Sequence, residues 1–206
     1  MSRKKNTTSL NISKNKNWNS SWYIYKEEYH SLLQGDIILY SYIRSQLNNL
    51  ETSNIVGVRV YRINDYLILD LMLNNLSLLN KKLLSNFLTS LNLFYNKNIF
   101  LALNKLSFLD LFKNGFYIAL KIAKFIEKRI KFRSKLVKLL LKKVKDSCKG
   151  IYVQCTGRIN NVDMARNDKL YLGSLPLQSI NLSISYGLVV ANTTKGLQSI
   201  KVWICK

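Results

Sequence analysis

The sequence predicts an α+β protein built as two small domains. Three observations carry that prediction. The first half reads in the order helix–strand–strand–helix–strand, a set that closes one small layered unit ending near residue 105. The second half reads as two helices followed by alternating strands, which suits two helices packed on one face of a mixed sheet. No Gly/Pro-rich linker separates the halves, and no internal repeat is visible.

Each element has its own local reason. A polar stretch runs to about Asn17, and Trp22–Tyr42 follows as a helix with a potential break near Gly35. Val56, Val58 and Val60 alternate with Gly57, Arg59 and Tyr61. Asn64-Asp65 makes the turn, and Leu67, Leu69 and Leu71 form the returning strand. Leu76–Leu91 reads as a leucine-rich helix and Ile99–Leu103 as a short strand. Phe108–Arg129 reads as a helix weakened at Asn114-Gly115, and Phe132–Cys148 as a second helix. Three strands then alternate at period two: Ile151, Val153 and Cys155; Ile180, Leu182, Ile184 and Tyr186; and Ile200, Val202 and Ile204. The boundaries expected are therefore a basic N-terminal arm over 1–17, a first domain over 18–105 and a second over 106–206.

Charge bounds the function. The 206 residues hold 32 Lys+Arg against 11 Asp+Glu, a formal net charge of +21. Self-repulsion at that charge calls for a polyanionic partner, nucleic acid or an anionic membrane. No apolar run reaches the ~18 residues of a spanning helix, and a strand-rich C-terminal half argues against a membrane-surface protein. The three cysteines, Cys148, Cys155 and Cys205, form no C-x-x-C pair, and His30 is the sole imidazole. No metal site, cofactor or disulfide framework is expected; buried, reduced thiols are.

The sequence offers no catalytic constellation. His30 lies in a tyrosine-rich helix without a Ser-Gly elbow, which suits a structural or surface histidine. Glu27 and Glu28 are adjacent and point apart in a helix, so they make no carboxylate dyad. Asp163 and Asp168 lie in a basic region and are expected to pair with Arg166 or Lys169. There is no Walker loop and no G-x-G-x-x-G. The protein is therefore read as a non-enzyme.

Cation placement points to RNA. Lys128, Lys131, Lys135, Lys138, Lys142 and Lys145 recur at three- and four-residue steps, within roughly 100° of helical arc, with Leu136, Leu140 and Val144 opposite. No acid interrupts the stripe before Asp146. Such a face is either a solvated helix surface or a phosphate-facing one, and the like charges four apart favour the second. Arg158 and Arg166 offer planar forks for phosphate oxygens, or salt bridges to Asp163 and Asp168. Gly157 and Gly173 let the backbone turn or approach a phosphate closely. Trp18, Trp22, Tyr23 and Tyr25 either stack on bases or staple the helix start. Arg3, Lys4 and Lys5 make the N-terminus a second basic segment, read as an RNA-binding arm or a weak transit peptide. The bias toward Asn, Lys, Leu, Ile, Tyr and Ser, with one proline, suggests an A/T-rich gene of the kind found in reduced organellar genomes.

The segments KGIYVQCTGRINNVDMAR, LPLQSINLSISYG and IKVWICK resemble the C-terminal half of the bacterial-type small ribosomal subunit protein three family. The matching features are Lys149-Gly150-Ile151, Gly157-Arg158, Ala165-Arg166, Pro176-Leu177, Thr193-Thr194-x-Gly196 and Lys201-Val202-Trp203-Ile204, in the family's order. WNSSWYIYKEEY is similar to its N-terminal W-N-S-x-W-F segment. The resemblance implies an N-terminal type II KH-like domain, binding to the 3′ part of small-subunit rRNA in the head, and a position lining the channel through which mRNA enters. It also implies ribosomal proteins ten and fourteen as neighbours, with four and five around that channel. Lys128, Arg129, Lys131 and Arg133 fall in the family's basic segment; Ser134 stands where a second arginine sits and Val137 where a lysine sits, with Lys135 and Lys138 one residue away. With Lys142, Arg158, Arg166 and Lys169 these complete the expected RNA-binding set. The family's KH loop carries G-x-x-G, whereas Asn80, Lys81, Lys82 and Leu83 stand here, so this loop is expected not to clamp RNA in the usual way. The wording of residues 175–178 resembles plastid members, so an organellar ribosome is expected, with a reduced plastid ahead of a mitochondrion and synthesis inside the organelle. The competing reading is a free-standing nucleic-acid-binding protein or nuclease.

Overall fold

A computed structural model describes residues 6–12, 14–48, 55–63, 66–74, 81–95 and 98–206. Its elements in chain order are α1 (Thr8–Asn11), β1 (Ser20–Ser21), α2 (Tyr29–Asn48), β2 (Ile55–Ile63), β3 (Tyr66–Leu73), α3 (Lys81–Tyr95) and β4 (Asn98–Lys105), then α4 (Phe108–Phe112), α5 (Gly115–Glu127), α6 (Lys135–Ser147), β5 (Gly150–Gly157), β6 (Arg166–Gly173), β7 (Ile184–Thr193) and β8 (Gly196–Cys205). The fold is α+β with two four-stranded sheets. Its contacts divide into two compact units, residues 18–107 and residues 108–206 together with the N-terminal segment to Asn17.

In the first unit the sheet runs β1-β2-β3-β4. β2 and β3 are antiparallel, while β1 pairs β2 and β4 pairs β3 in parallel. The valine and leucine alternation sets one apolar face. Val60, Leu67, Leu69, Leu71 and Leu73 pack with Leu39 and Ile43 of α2 and Phe87 and Leu91 of α3. The predicted helix from Trp22 begins only at Tyr29, because Trp22 is held outside it: its indole Nε1 donates to Asp36 at 2.8 Å and its ring meets Tyr29 at 5.5 Å. The helix continues through Gly35 without a break. Gly35 sits where Arg62 and Tyr95 approach, and Tyr95 donates to its carbonyl at 2.7 Å. Arg62 and Asp36 form an ion pair, their side chains 9% and 4% exposed. The predicted Asn64-Asp65 turn and the first residues of the leucine-rich helix lie outside the described residues. The helix that follows ends at Tyr95, four residues beyond the expected Leu91.

The second unit departs from expectation in four ways. Its sheet, ordered β6-β5-β8-β7, is antiparallel at every pairing rather than mixed. The strand β6 is an addition, running through residues read only as a basic region. It was hidden because an edge strand lacks a full apolar side; Asp168 interrupts the face that Leu170 and Leu172 begin. β7 starts at Ile184 rather than Ile180, since Ile184 lies opposite Cys205 and the Ile180–Leu182 alternation has no strand beside it. The expected helix 108–129 is split at the weak point, where Asn114 caps α5 by accepting from the Phe116 N–H at 3.0 Å.

Helices and sheet meet through one apolar layer. Ile151, Val153 and Cys155 of β5 and Ile200, Val202 and Ile204 of β8 are at most 1% exposed. α5 lies on β7 and β8, with Ile118 and Ile122 fully buried. Its first turn lies close against β7: Gly115 N–H donates to the Ser185 side-chain Oγ at 2.9 Å, and a Cβ on Gly187 would lie 2.3 Å from the Gly115 carbonyl oxygen. The N-terminal segment is anchored here too. Lys16 donates to the Ile184 carbonyl at 2.6 Å and Asn15 to that of Ile180 at 2.9 Å. Burial, then the nearby Lys206, lowers the Lys16 pKa. From Asn6 onward, therefore, the expected arm is docked on the unit, while Arg3, Lys4 and Lys5 lie outside the described residues.

Gly187→Ala forces backbone to move at the α5–β7 crossing and is expected to destabilise the protein by about 1–3 kcal/mol in urea unfolding. Gly57→Ala, whose Cβ would meet only Met72 Sδ at 3.6 Å, serves as the control with a shift below about 1 kcal/mol.

Candidate nucleic-acid interface

The basic face is set by how α5 hands over to α6. Helix α5 ends in a Schellman closure: Arg129 N–H donates to the Ile126 carbonyl and Ile130 N–H to that of Phe125, both at 2.9 Å. Phe132 is 2% exposed and pins the connection to the core. Ser134 then starts α6, its Oγ accepting from the Val137 N–H at 3.5 Å. The lysine stripe is thus broken. Lys128 caps α5 and Lys131 lies in the connection, so only Lys135, Lys138, Lys142 and Lys145 share a helix.

α6 presses Val137, Leu141 and Val144 into the core, at 0%, 2% and 0% exposure. The predicted inner face was offset: Leu136 is 53% exposed and Leu140 half-buried. The 3.6-residue period explains it, because 137, 141 and 144 align at steps of four and three. Lys135, Lys138, Lys142, Lys143 and Lys145 are exposed, and none has a carboxylate within 4.0 Å among the described residues. Lys135 and Lys142 stand two turns apart, about 10 Å along the axis. This is a row of unpaired ammonium groups on a rigid element.

The arginines divide. Arg133 pairs with Asp168 at 3.3 Å, and Arg158 with Asp163 at 3.0 Å while its Nε donates to the Val162 carbonyl at 3.0 Å. The expected partners Arg166 and Lys169 do not make these bonds. Asp168 lies on the side of the sheet that α6 covers, whereas Lys169, its neighbour in the strand, falls on the other side. Both ion pairs are solvent-exposed and worth about 0–1 kcal/mol, so a phosphate can exchange for the carboxylate. Arg166 and Lys169 are exposed on β6 without an ion pair among the described residues. Gly157 and Gly173 both take positive φ, 138° and 81°, at the ends of β5 and β6; Gly173 packs against the Lys149 carbonyl. Asn80 lies outside the described residues, and Lys81–Leu83 open α3.

No nucleophile is activated here. Burial, with Asp168 adding to it, pushes the Cys155 thiol up to about 12. Burial likewise raises Cys148. Among the described residues no three His, Cys, Asp or Glu side chains converge on a metal-sized site, and no helix is long and apolar enough to cross a membrane. His30 is exposed on the first turn of α2.

Comparison with known proteins gives this basic unit its relatives. Residues 122–204, which take in the last six residues of α5, all of α6 and nearly the whole antiparallel sheet, match the family described as Ribosomal protein S3, C-terminal domain. Along the whole chain, the small ribosomal subunit protein uS3 of Shouchella clausii is 26% identical, covering 99% of this chain and 92% of that protein. The uS3 of Caldanaerobacter subterraneus subsp. tengcongensis is 28% identical over 100% of this chain and 92% of its own. The chain is similar to uS3 proteins along its whole length. The uS3 of Nitrosococcus oceani, 26% identical over 206 residues, gives the same coverage.

The structure adds cations that the sequence reading left out. Lys143 joins the α6 face. On the sheet side away from the helices, Lys169, Gln154, Lys201 and Leu188 lie in one row across all four strands. Beside it runs an aromatic row, Tyr171, Tyr152, Trp203 and Tyr186, with successive centroids 5.3–6.4 Å apart. Lys201 was left out although legible in the alternation of β8; Lys169 was expected from the sequence, and β6 is what places it in this row. Trp18, Tyr23 and Tyr25 are 69%, 93% and 80% exposed, whereas Trp22 is spent on Asp36 and Tyr29.

Replacing Lys135, Lys138 and Lys142 together by Glu reverses the α6 row. The expected outcome is more than about a tenfold loss of affinity for small-subunit rRNA in filter binding, with an unchanged thermal midpoint because all three are exposed.

Proposed function

We propose that this chain is a structural constituent of the small subunit of an organellar ribosome, binding rRNA of the head and lining the channel through which mRNA enters. The carrying observation is the row of unpaired lysines on α6, inside the segment that matches the uS3 family. Its role is structural rather than enzymatic, as for uS3 proteins. Phosphate contacts position such a protein without reading sequence, which suits flexible lysines on a rigid helix.

Residues 18–105 are read as a type II KH-like domain, supported by the helix–strand–strand–helix–strand order and the antiparallel-then-parallel pairing of β2, β3 and β4. Residues 106–206 are read as the family's C-terminal domain and 1–17 as an arm. The proposed RNA contacts are Lys128, Arg129, Lys131, Arg133, Lys135, Lys138, Lys142, Arg158, Arg166 and Lys169, with Arg3, Lys4 and Lys5 preceding them. The segment Asn80–Leu83, expected as the KH loop and helical from Lys81, lacks glycine and is proposed not to clamp RNA in the usual way. Proteins ten and fourteen, and four and five at the channel, are the proposed neighbours. The A/T-type composition supports an organelle, with a reduced plastid favoured over a mitochondrion; the relatives cited above are bacterial.

Sucrose-gradient sedimentation of the native protein tests this reading. The protein is expected to travel with the small subunit and to stay there at moderate salt. A protein found only at the top of the gradient, or one that cleaves RNA by itself, contradicts it.

A further inference from the structure

The α5–α6 connection, the short turn at Ile159–Asn161 and the β7–β8 hairpin tip enclose a groove of about 480 Å³. That volume lies within the ~300–1,000 Å³ range of small-ligand clefts. Two features set it apart. Its rim carries Arg129, Lys131 and Lys195, none paired with a carboxylate among the described residues. Its wall also contains Arg129, Asn160 and Asn161, with φ of 61°, 56° and 64°, the non-glycine residues of the described chain that take positive φ.

Such a backbone is unfavourable for a residue with a Cβ, by about 1–2 kcal/mol. Asn tolerates it better than most; Arg does not. Arg129 occupies the helix-closing position where glycine is ordinarily found, so the fold forgoes stability to place a guanidinium there. Asn160 and Asn161 put two carboxamides, each with donors and an acceptor, against the same space. Asn192 lines it as well, and its backbone N–H donates to Glu127 Oε1 at 3.3 Å, which engages the acid of the groove. Ile130 and Ile159 supply apolar surface between the polar groups.

We infer that this groove holds one unstacked nucleotide of single-stranded RNA, its phosphate met by Arg129, Lys131 and Lys195 and its base edge by the Asn160 and Asn161 amides. Cations alone suit any phosphate. The paired amides beside them match the hydrogen-bonding edge of an exposed base, which a duplex keeps paired. The inference rests on the ribosomal reading and adds a nucleotide site to it. The shared chemistry fits a looped-out residue of rRNA or a residue of the message.

The test uses the full chain, a fluorescein-labelled ten-nucleotide single-stranded RNA and an RNA duplex of equal charge. Asn160→Gly with Asn161→Gly keeps the positive-φ backbone and deletes both amides. It is expected to lower single-strand affinity about fivefold to tenfold while duplex affinity stays within about twofold. Arg129→Gly is expected to raise the thermal midpoint yet weaken single-strand binding. Single-strand affinity unchanged in both variants, equal losses on single strand and duplex, or no single-strand binding by the parent chain would each overturn the site. Sedimentation of the Asn160/Asn161 variant separates the two levels. Small-subunit association with unchanged oligonucleotide affinity sinks the groove alone, whereas a parent chain that never sediments with the subunit sinks the ribosomal reading. With the site upheld, a photo-crosslinker at position 194 in assembled subunits distinguishes the source by labelling either the rRNA or an added message; labelling of neither overturns the site within the subunit.

Discussion

The contact between α5, α6 and the apolar side of the β5–β8 sheet is what everything else depends on. It buries Val137, Leu141 and Val144 of one helix and Ile118, Ile122 and Ile126 of the other against Ile151, Val153, Ile200, Val202 and Ile204. Once those side chains are fixed, the 3.6-residue period leaves the lysines of α6 no direction but outward. Fixing β5 and β8 does the same for Lys201 and Gln154 on the far side of the sheet. The cations are thus displayed by a packed core rather than by a loose tail, with their backbones already ordered before RNA arrives.

Charge gives that display its meaning. The sequence carries +21 net charge, yet the described residues form only four ion pairs, three of them solvent-exposed. The exception is Arg62–Asp36, a buried pair that also receives the Trp22 indole and so ties the entrance of α2 to β2. That pair serves structure. The unpaired cations of α6 and β6 have no such internal duty, and their mutual repulsion is relieved by a polyanion. The thiols follow the opposite logic: burial keeps Cys155 protonated, so it serves as a small apolar core residue.

Much of the architecture was legible wherever one side of an element is uniformly apolar. The Val56–Val60 and Leu67–Leu71 alternation, and that of Ile151–Cys155 and Ile200–Ile204, gave four strands because both neighbours reinforce a buried face. Asn114-Gly115 was legible only as a weak point in one helix; it is the start of α5, because Asn is a good cap and Gly fits the crossing with Gly187. Three things were not legible. β6 is an edge strand whose inner face includes Asp168, engaged by Arg133 from 35 residues away. The stripe through Lys128 and Lys131 followed helical arithmetic across a connection that Phe132 pins and Ser134 restarts. Asn160, Asn161 and Lys195 meet Arg129 only through tertiary folding, so no spacing in the chain announced their groove. The resemblance to the uS3 family, by contrast, was carried by short ordered motifs and needed no coordinates.

The central claim is that these cations are held outward to neutralise RNA phosphates. The most direct measurement is the salt dependence of the full chain's affinity for small-subunit rRNA between about 50 and about 300 mM KCl. Simultaneous contact with five or more phosphates predicts a log–log slope of about −4 or steeper. A slope near zero would contradict the account, because binding would then owe little to the lysines and arginines that the fold displays.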